Sequence, residues 1–330
     1  MKKLIHNLKL SGISSCVPKN TIHMSDFYDL FGEKEVNRIA LSTGIGSVRI
    51  ALTGINTSDM CVQASNNLIN TLGIDRSEID GLVFVSQTPD FIMPATSCIL
   101  QGRLGLKTDI VAFDINYGCS GYIYGLLQSA LLVSSGCCNK VLLCVGDTIS
   151  KHLDPNDHKS RLVFGDGVAS CLIESGNSTF TFDIKTDGTR YQELIIPKSN
   201  NLDGYLHMNG SAIMEFALSE VKGVVDSVLQ EQNKSLNDIS AVVLHQANAF
   251  MLNYLRKKLN VNKDIFPVEM GQYGNTGPAS IPLAMCSKYS NNYNQLNNAV
   301  FAGFGVGLSW GAVYLDDITD ILIMPISEFV

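Results

Sequence analysis

Hydrophobic residues in this chain fall in short, nearly unbroken runs separated by longer amphipathic stretches. Asp80-Gly-Leu-Val-Phe-Val-Ser86, Thr108-Asp-Ile-Val-Ala-Phe-Asp114, Lys140-Val-Leu-Leu-Cys-Val-Gly146, Gly167-Val-Ala-Ser-Cys-Leu-Ile173 and Ala241-Val-Val-Leu244 are β-branched, apolar and too short for core helices. They predict strands buried on both faces. Between them, 57–72 has helical spacing stopped by Gly73, and 96–104 suits a second helix. The segment 122–133 is apolar on nearly every side and closed by Ser134-Ser-Gly136, so it predicts a helix inside the protein. Residues 8–18 read as an opening strand and loop, 25–31 as a short helix capped by Ser25, and 41–46 as a glycine-punctuated loop.

The second half repeats the first. Asp238-Ile-Ser-Ala-Val-Val-Leu-His-Gln246 echoes Glu78-Ile-Asp-Gly-Leu-Val-Phe-Val-Ser-Gln87, and Asn298-Ala-Val-Phe-Ala-Gly303 echoes 139–146. Leu308-Ser-Trp-Gly-Ala-Val-Tyr314 echoes the strand around 166–172. The first two pairs keep their order at a separation of about 160 residues, which points to internal duplication rather than a short-period solenoid. Alternating strands and helices imply α/β units with covered sheets. The expected organisation is two similar halves, 1–175 and 176–330, with the active groups where they meet.

Composition narrows the class. The 330 residues are 45% hydrophobic, enough for a substantial core, and the net charge of -7 argues against nucleic acid as the main partner. Nine cysteines, an odd count with no paired Cys-x-x-Cys cluster, suggest neither a disulfide framework nor a zinc site, and point to the cytoplasm. No apolar run approaches the roughly 18 residues of a membrane helix, and the opening Met1-Lys-Lys-Leu-Ile-His6 lacks the apolar core of a signal peptide. A soluble protein without a membrane partner is expected.

Candidate chemistry centres on Ala112-Phe-Asp-Ile-Asn-Tyr-Gly-Cys-Ser-Gly121. Cys119 falls where a strand hands over to the first turn of a buried helix. Unpaired amides and the helix dipole there would favour a thiolate. A cysteine in apolar surroundings is more often an inert core thiol, so partners elsewhere must decide. His245 ends a strand, where a histidine is usually a hydrogen-bonded loop residue. Gln272-Tyr-Gly-Asn-Thr-Gly-Pro-Ala-Ser-Ile-Pro282, taken alone, is a turn opening a helix, and Gly303-Phe-Gly-Val-Gly307 is a tight turn.

Together these segments resemble the β-ketoacyl-acyl-carrier-protein synthase III family of the thiolase-like superfamily. The matching blocks are Phe113-Asp-Ile-Asn with Cys119-Ser-Gly121, Phe164-Gly-Asp-Gly167, His245-Gln-Ala-Asn248, Gly274-Asn-Thr276 with Ala279-Ser-Ile-Pro282, and Gly303 to Gly307 followed by Trp310-Gly311. They run in family order across nearly the whole chain. The resemblance implies a layered αβαβα sandwich, a homodimer, and Cys119 as nucleophile with His245 and Asn275. It implies an oxyanion hole from the backbone N–H groups of Cys119 and Val306, where the family normally has glycine at the second position. It implies that Cys119 takes an acyl group from a coenzyme A or acyl-carrier thioester. A malonyl-carrier thioester then loses carbon dioxide and condenses with it, with no metal or bound cofactor. A sulfur is both nucleophile and leaving group, and two neutral hydrogen-bond donors suit a developing enolate oxygen.

The tunnel mouth departs from the family pattern. Arg38, Ser42 and Thr43 stand where the family commonly carries Trp and Arg-Thr around coenzyme A, His158 and Phe250 replace arginines, Glu215 replaces a lysine, and Met214 replaces a phenylalanine. Gly210, Ala247, Asn248 and Phe304 complete the substrate-contacting set that the resemblance implies. Arg256-Lys-Lys258 is a docking patch for an acidic acyl carrier protein, or a solvated helix end. Lost phosphate contacts weaken a coenzyme A primer and leave room for a specialised pathway. The rival readings are a cysteine-dependent acyltransferase that forms an ester or amide without decarboxylation, and a silent carrier-binding subunit. Ile92 and Met93 are candidates to border the acyl pocket, and the tail 317–330 is expected to add an edge strand or cover an interface.

Overall fold

A computed structural model of the chain describes residues 1–197, 204–291 and 295–330. Eleven strands form one hydrogen-bonded sheet: β1 Lys2–Pro18, β2 Gly81–Val85, β3 Val111–Ile115, β4 Lys140–Asp147, β5 Gly167–Ser175, β6 Ser178–Thr186, β7 Ala241–Leu244, β8 Ala299–Gly305, β9 Ser309–Leu315, β10 Leu322–Ile323 and β11 Ser327–Phe329. The longer helices are α1 Glu33–Thr43, α2 Thr57–Leu72, α3 Thr96–Arg103, α4 Gly121–Ser134, α5 Gly210–Gln230, α6 Ala249–Leu259 and α7 Ser280–Tyr289.

The strand order β3-β2-β4-β5-β1 meets β6-β9-β8-β7 through the antiparallel pairing of β1 with β6. Each echoed sequence pair takes an equivalent place. β2 and β7 are both parallel to their inner neighbours, β4 and β8. Those neighbours are antiparallel to β5 and β9 respectively. The first residues of β1 pair with β6, from Lys2 opposite Asp183 to Leu8 opposite Ser178. The rest pairs with β5 as far as Cys16 opposite Val168. The tail supplies β10 and β11, which run parallel to the second part of β1.

Alternation along the strands builds the layers, because successive side chains point to opposite faces. Val83, Val85, Val141, Leu143, Val243 and Phe301 enter one core shared with α4 and α7. Their neighbours Leu82, Phe84, Leu142 and Cys144 pack with α2 and α3 on the outer face of the first half. Val242, Leu244, Val300 and Ala302 pack with α5 and α6 on the outer face of the second. The result is helix, sheet, helix, sheet, helix, and it explains why the strand runs are apolar at every position. Fully burying one such side chain is worth roughly 1.5–3 kcal/mol. The all-round apolar helix α4 is in the middle layer, with Tyr122 packed 5.9 Å from Phe301 between ring centroids.

Helix ends follow ordinary chemistry. α2 starts from a capping box, in which the Asn56 N–H donates to Asp59 Oδ2 at 2.6 Å, and stops at left-handed Gly73. The expected loop at 41–46 is instead the last turn of α1, which continues to Thr43 and is capped by left-handed Gly44. Only Val36 and Ile39 of that helix are buried, so its hydrophobic signal is weak.

Candidate active site

Two strand-to-helix junctions, the loop before α7 and the turn between β8 and β9 converge on Cys119. The sulfur belongs to the turn between β3 and α4, where the Gly121 N–H donates to the Gly118 carbonyl at 2.6 Å. The end of β8 lies flush against that turn. A Cβ on Gly303 would come within 3.1 Å of the Cys119 carbonyl oxygen, and one on Gly305 within 2.8 Å of Cys119 Cβ and 3.2 Å of its Sγ. Bare backbone at these two positions lets the chain beyond β8 reach the sulfur. The N–H groups of Cys119 and Val306 both approach Sγ. A serine chain fixes the Val306 peptide: Ser309 Oγ donates to the Val306 carbonyl at 2.6 Å and lies 2.6 Å from Ser120 Oγ.

His245 follows β7 and continues its ladder, its N–H donating to the Ala302 carbonyl at 2.8 Å. The ring is fixed by Nδ1, 2.7 Å from Ser280 Oγ at the start of α7, and by an edge-to-face contact with Phe304 at 5.5 Å. Ser280 Oγ also accepts the Gln246 N–H at 3.3 Å. With that hydroxyl donating to Nδ1, Nε2 carries the ring proton.

Asn275 is held by main chain and side chain together. Its N–H donates to the Val163 carbonyl at 2.8 Å, and its carbonyl accepts the Gly165 N–H at 3.1 Å. The Phe164-Gly-Asp-Gly167 loop is thus the frame for Asn275. Asp166 braces that loop by accepting from Ala51 N–H, Ser150 N–H and Ser150 Oγ at 2.6–2.9 Å. The Gly277 N–H donates to Asn275 Oδ1 at 3.0 Å, which identifies the oxygen and leaves the amide NH2 as the free donor.

Two cavities meet at Cys119. The smaller, about 80 Å³, is walled by Cys119, His245 and Asn275 together with Gly210, Ala247, Asn248 and Phe304. The larger, about 590 Å³, continues on the other side of the sulfur between Gln87, Asn116, Asp147, His152, Ile149 and Val306. The Val306 side chain lies against Gly118 on the wall of this larger space, 2.7 Å from where a Cβ on that glycine would be.

Electrostatics differ from the helix-end expectation. Burial first, and the Asp147 carboxylate second, push the Cys119 thiol up to about 12, although the two N–H groups pull it down. A helix terminus is worth about 0.3–1 kcal/mol at an exposed site, less than the desolvation of a buried anion, so the resting sulfur is a thiol. Burial also pushes His245 down to about 3, against the favourable pull of the Gly277 carbonyl, so the imidazole is neutral at neutral pH.

The family comparisons bear directly on these residues. The model for 3-oxoacyl-[acyl-carrier-protein] synthase III matches residues 113–188, which include Cys119, and the model for its C-terminal part matches 229–316, which include His245 and Asn275. A β-ketoacyl-[acyl-carrier-protein] synthase III of Clostridium perfringens is 34% identical over 325 residues, covering 94% of this chain and 99% of the relative. The chain belongs to the β-ketoacyl-acyl-carrier-protein synthase III family. It shares with that family of condensing acyltransferases a thiolase-like fold. A crystal structure of a 3-oxoacyl-(acyl-carrier protein) synthase from Burkholderia xenovorans superposes with a TM-score of 0.96 at 33% identity, covering 100% of this chain and 99% of that one. A putative 3-oxoacyl-[acyl-carrier-protein] synthase 3 of Campylobacter jejuni is 32% identical, with 96% of each chain covered.

Not every candidate residue reaches the site. Arg38 is exposed on α1 and paired with Glu35 at 2.5 Å, while the Ser42 and Thr43 hydroxyls donate back to the Ile39 carbonyl at 2.9 and 2.8 Å. None of the three lines either cavity. Their helix abuts the start of α6, where Gly44 meets Ala249. Asn248 lines the small cavity but also caps α6, its Oδ1 accepting the Met251 N–H at 2.8 Å. Ile213, Met208 and Met251 wall that cavity, and Met214 does not. In the basic patch, Arg256 donates to the Val261 carbonyl at 3.2 Å and Lys258 to the Leu218 carbonyl, so both brace the fold. The Lys257 side chain is exposed and, among the described residues, makes no hydrogen bond. Sequence reasoning missed Ser280, Ser309 and Asp147, because their partners lie 34 or more residues away except for the Ser309 contact with Val306.

Proposed function

We propose that this chain is a 3-oxoacyl-acyl-carrier-protein synthase III that works through an acyl-Cys119 intermediate. The observation that carries this reading is the position of Cys119 between a small cavity holding His245 and Asn275 and a larger one able to receive an acyl chain. In the first step the thiol sulfur forms a bond to the carbonyl carbon of an acyl thioester and the old carbon–sulfur bond breaks. The proton of the Cys119 thiol ends on the sulfur of the leaving group, which departs as a free thiol. In the second step a malonyl-carrier thioester loses carbon dioxide. The enolate oxygen accepts from His245 Nε2–H and the Asn275 amide, while the carbanion attacks the acyl carbon. The N–H groups of Cys119 and Val306 hold the oxyanion until the carbon–sulfur bond breaks, releasing a 3-oxoacyl thioester and the thiolate, which regains a proton. Preorganised donors of this kind are worth about 2.7–4 kcal/mol each. The scheme calls on no metal or bound cofactor.

The partner in this reading is an acyl carrier protein, met at the rim formed by α1 and α6, with Lys257 as the available cation. A homodimer is proposed through the half-buried strand β3 together with Ile92 and Met93, which are 97% and 82% exposed. Nine unpaired thiols fit a reducing cytoplasm, and no helix among the described residues is long and apolar enough to cross a membrane. Incubation with an acyl thioester and a malonyl-carrier thioester tests the reaction. Carbon dioxide release that depends on the acyl donor is expected. Consumption of the donor by an amine or hydroxyl acceptor without such release would replace condensation by plain acyl transfer.

A further inference from the structure

The larger cavity has a polar wall that simple acyl transfer leaves unexplained. Asp147, at the end of β4, is 3% exposed and lines this cavity. Its Oδ1 is saturated, accepting from Ser86 Oγ at 2.8 Å, Gln87 N–H at 2.7 Å, Thr88 N–H at 3.2 Å and Thr88 Oγ1 at 3.2 Å. Its Oδ2 has no hydrogen-bond partner among the described residues. That oxygen is turned toward Gly277, another residue of the cavity wall, 3.0 Å from where a Cβ there would be. The side-chain amides of Gln87 and Asn116 face the same space, also with no hydrogen-bond partner among the described residues, and the His152 ring borders it. Ile149 and Ile196 supply apolar wall.

A plain hydrocarbon chain would dry Asp147 Oδ2 and the half-buried Gln87 amide without satisfying them, at about 1–3 kcal/mol for each buried polar group left unpaired, whereas Asn116 is exposed at the edge of this cavity. A pocket with polar groups awaiting a partner rejects ligands that lack the matching group more strongly than it rejects a small change of size. Burial raises the Asp147 carboxyl to about 7, so near neutrality the acid and its anion are both present. Either form leaves Oδ2 needing a partner, and the anion would repel an acyl group that ends in a carboxylate.

We propose that the acyl group delivered to Cys119 carries a hydrogen-bond donor, a hydroxyl or an amine, that is received by Asp147 Oδ2 with Gln87 and Asn116 beside it. This rests on the thioester reading above and narrows its substrate class. The test measures acylation of Cys119 in the full-length protein by intact mass, using pantetheine thioesters of butanoic acid and of its 2-, 3- and 4-hydroxy and amino derivatives. At least one substituted donor is expected to exceed butanoyl by tenfold or more in acylation efficiency, and the hydroxy and amino arms tell the two donors apart. In Asp147→Asn and, independently, Gln87→Leu, the ratio of substituted to plain donor should fall about tenfold. Equal or better use of butanoyl by the wild-type protein overturns the proposal without touching the condensation chemistry. Ratios unchanged in folded samples of both variants overturn the role given to this wall. No acylation by any donor overturns the thioester reading and the proposal together.

Discussion

Replacing Gly305 by alanine probes how the backbone serves the nucleophile. The new Cβ would lie 2.8 Å from Cys119 Cβ and 3.2 Å from Sγ, and Gly305 has φ of +153°, a region that L side chains rarely adopt. Carbon atoms are comfortable at about 3.5–4.0 Å, so β8 and the Cys119 turn must separate by about 0.7 Å. Overpacking of this kind typically costs about 1–3 kcal/mol of stability. The Val306 N–H is one residue further on and moves with the strand, so it leaves the position from which it reaches the sulfur. Loss of one oxyanion donor costs about 10²–10³ in rate. Gly305→Ala should therefore fold, melt a few degrees lower, and acylate Cys119 at least a hundredfold more slowly. Thermal unfolding and stopped intact-mass kinetics read the two effects separately. A folded variant that acylates at the wild-type rate would refute the oxyanion role of the Val306 amide.

Three further outcomes follow from the site. Asn275→Asp keeps the acceptor for the Gly277 N–H but puts a carboxylate where a donor is needed. Carbon dioxide release should fall by about 10²–10³ while Cys119 acylation stays within a few-fold, and parallel loss of both steps would contradict the assignment. Asp147 is raised in the folded state to about 7 from an ordinary 3.8, so the native protein holds a proton that the unfolded chain releases. Its contribution to stability is therefore favourable below about pH 4 and lost as pH rises toward 7, and in Asp147→Asn the melting temperature relative to wild type should climb between pH 5 and pH 8. Because the Cys119 thiol lies near 12, its alkylation by iodoacetamide should keep accelerating up to at least pH 10, and a plateau near pH 7 would show a stabilised thiolate.

How far the sequence could be read depended on how local the cause was. The strands were legible because both sheet faces are covered, which makes 82–85 and 141–145 apolar at consecutive positions. The duplication was legible because equivalent strands need equivalent patterns. Cys119, His245 and Asn275 were legible only as ordered motifs, since no local pattern brings residues 119, 245 and 275 to one cavity. α1 escaped notice because two buried residues do not make a clear stripe. The first six residues of β1 were missed because Lys2, Lys3 and Asn7 read as polar, and it is pairing with β6 that makes them strand. The thiolate expectation failed because helix polarity is visible in sequence and depth of burial is not. Asp147 was unreadable for the same reason: an aspartate after a strand gives no sign that one oxygen is saturated and the other faces a cavity.

The most direct measurement is the site of acyl attachment. Cys98 and Cys137 are exposed and would capture any adventitious label first, whereas Cys119 is buried between two cavities. After exposure to an acyl thioester, peptide mapping should place one acyl group on the peptide containing Cys119 and none there in Cys119→Ala. Label confined to Cys98 or Cys137, unchanged by that substitution, would contradict the proposed nucleophile.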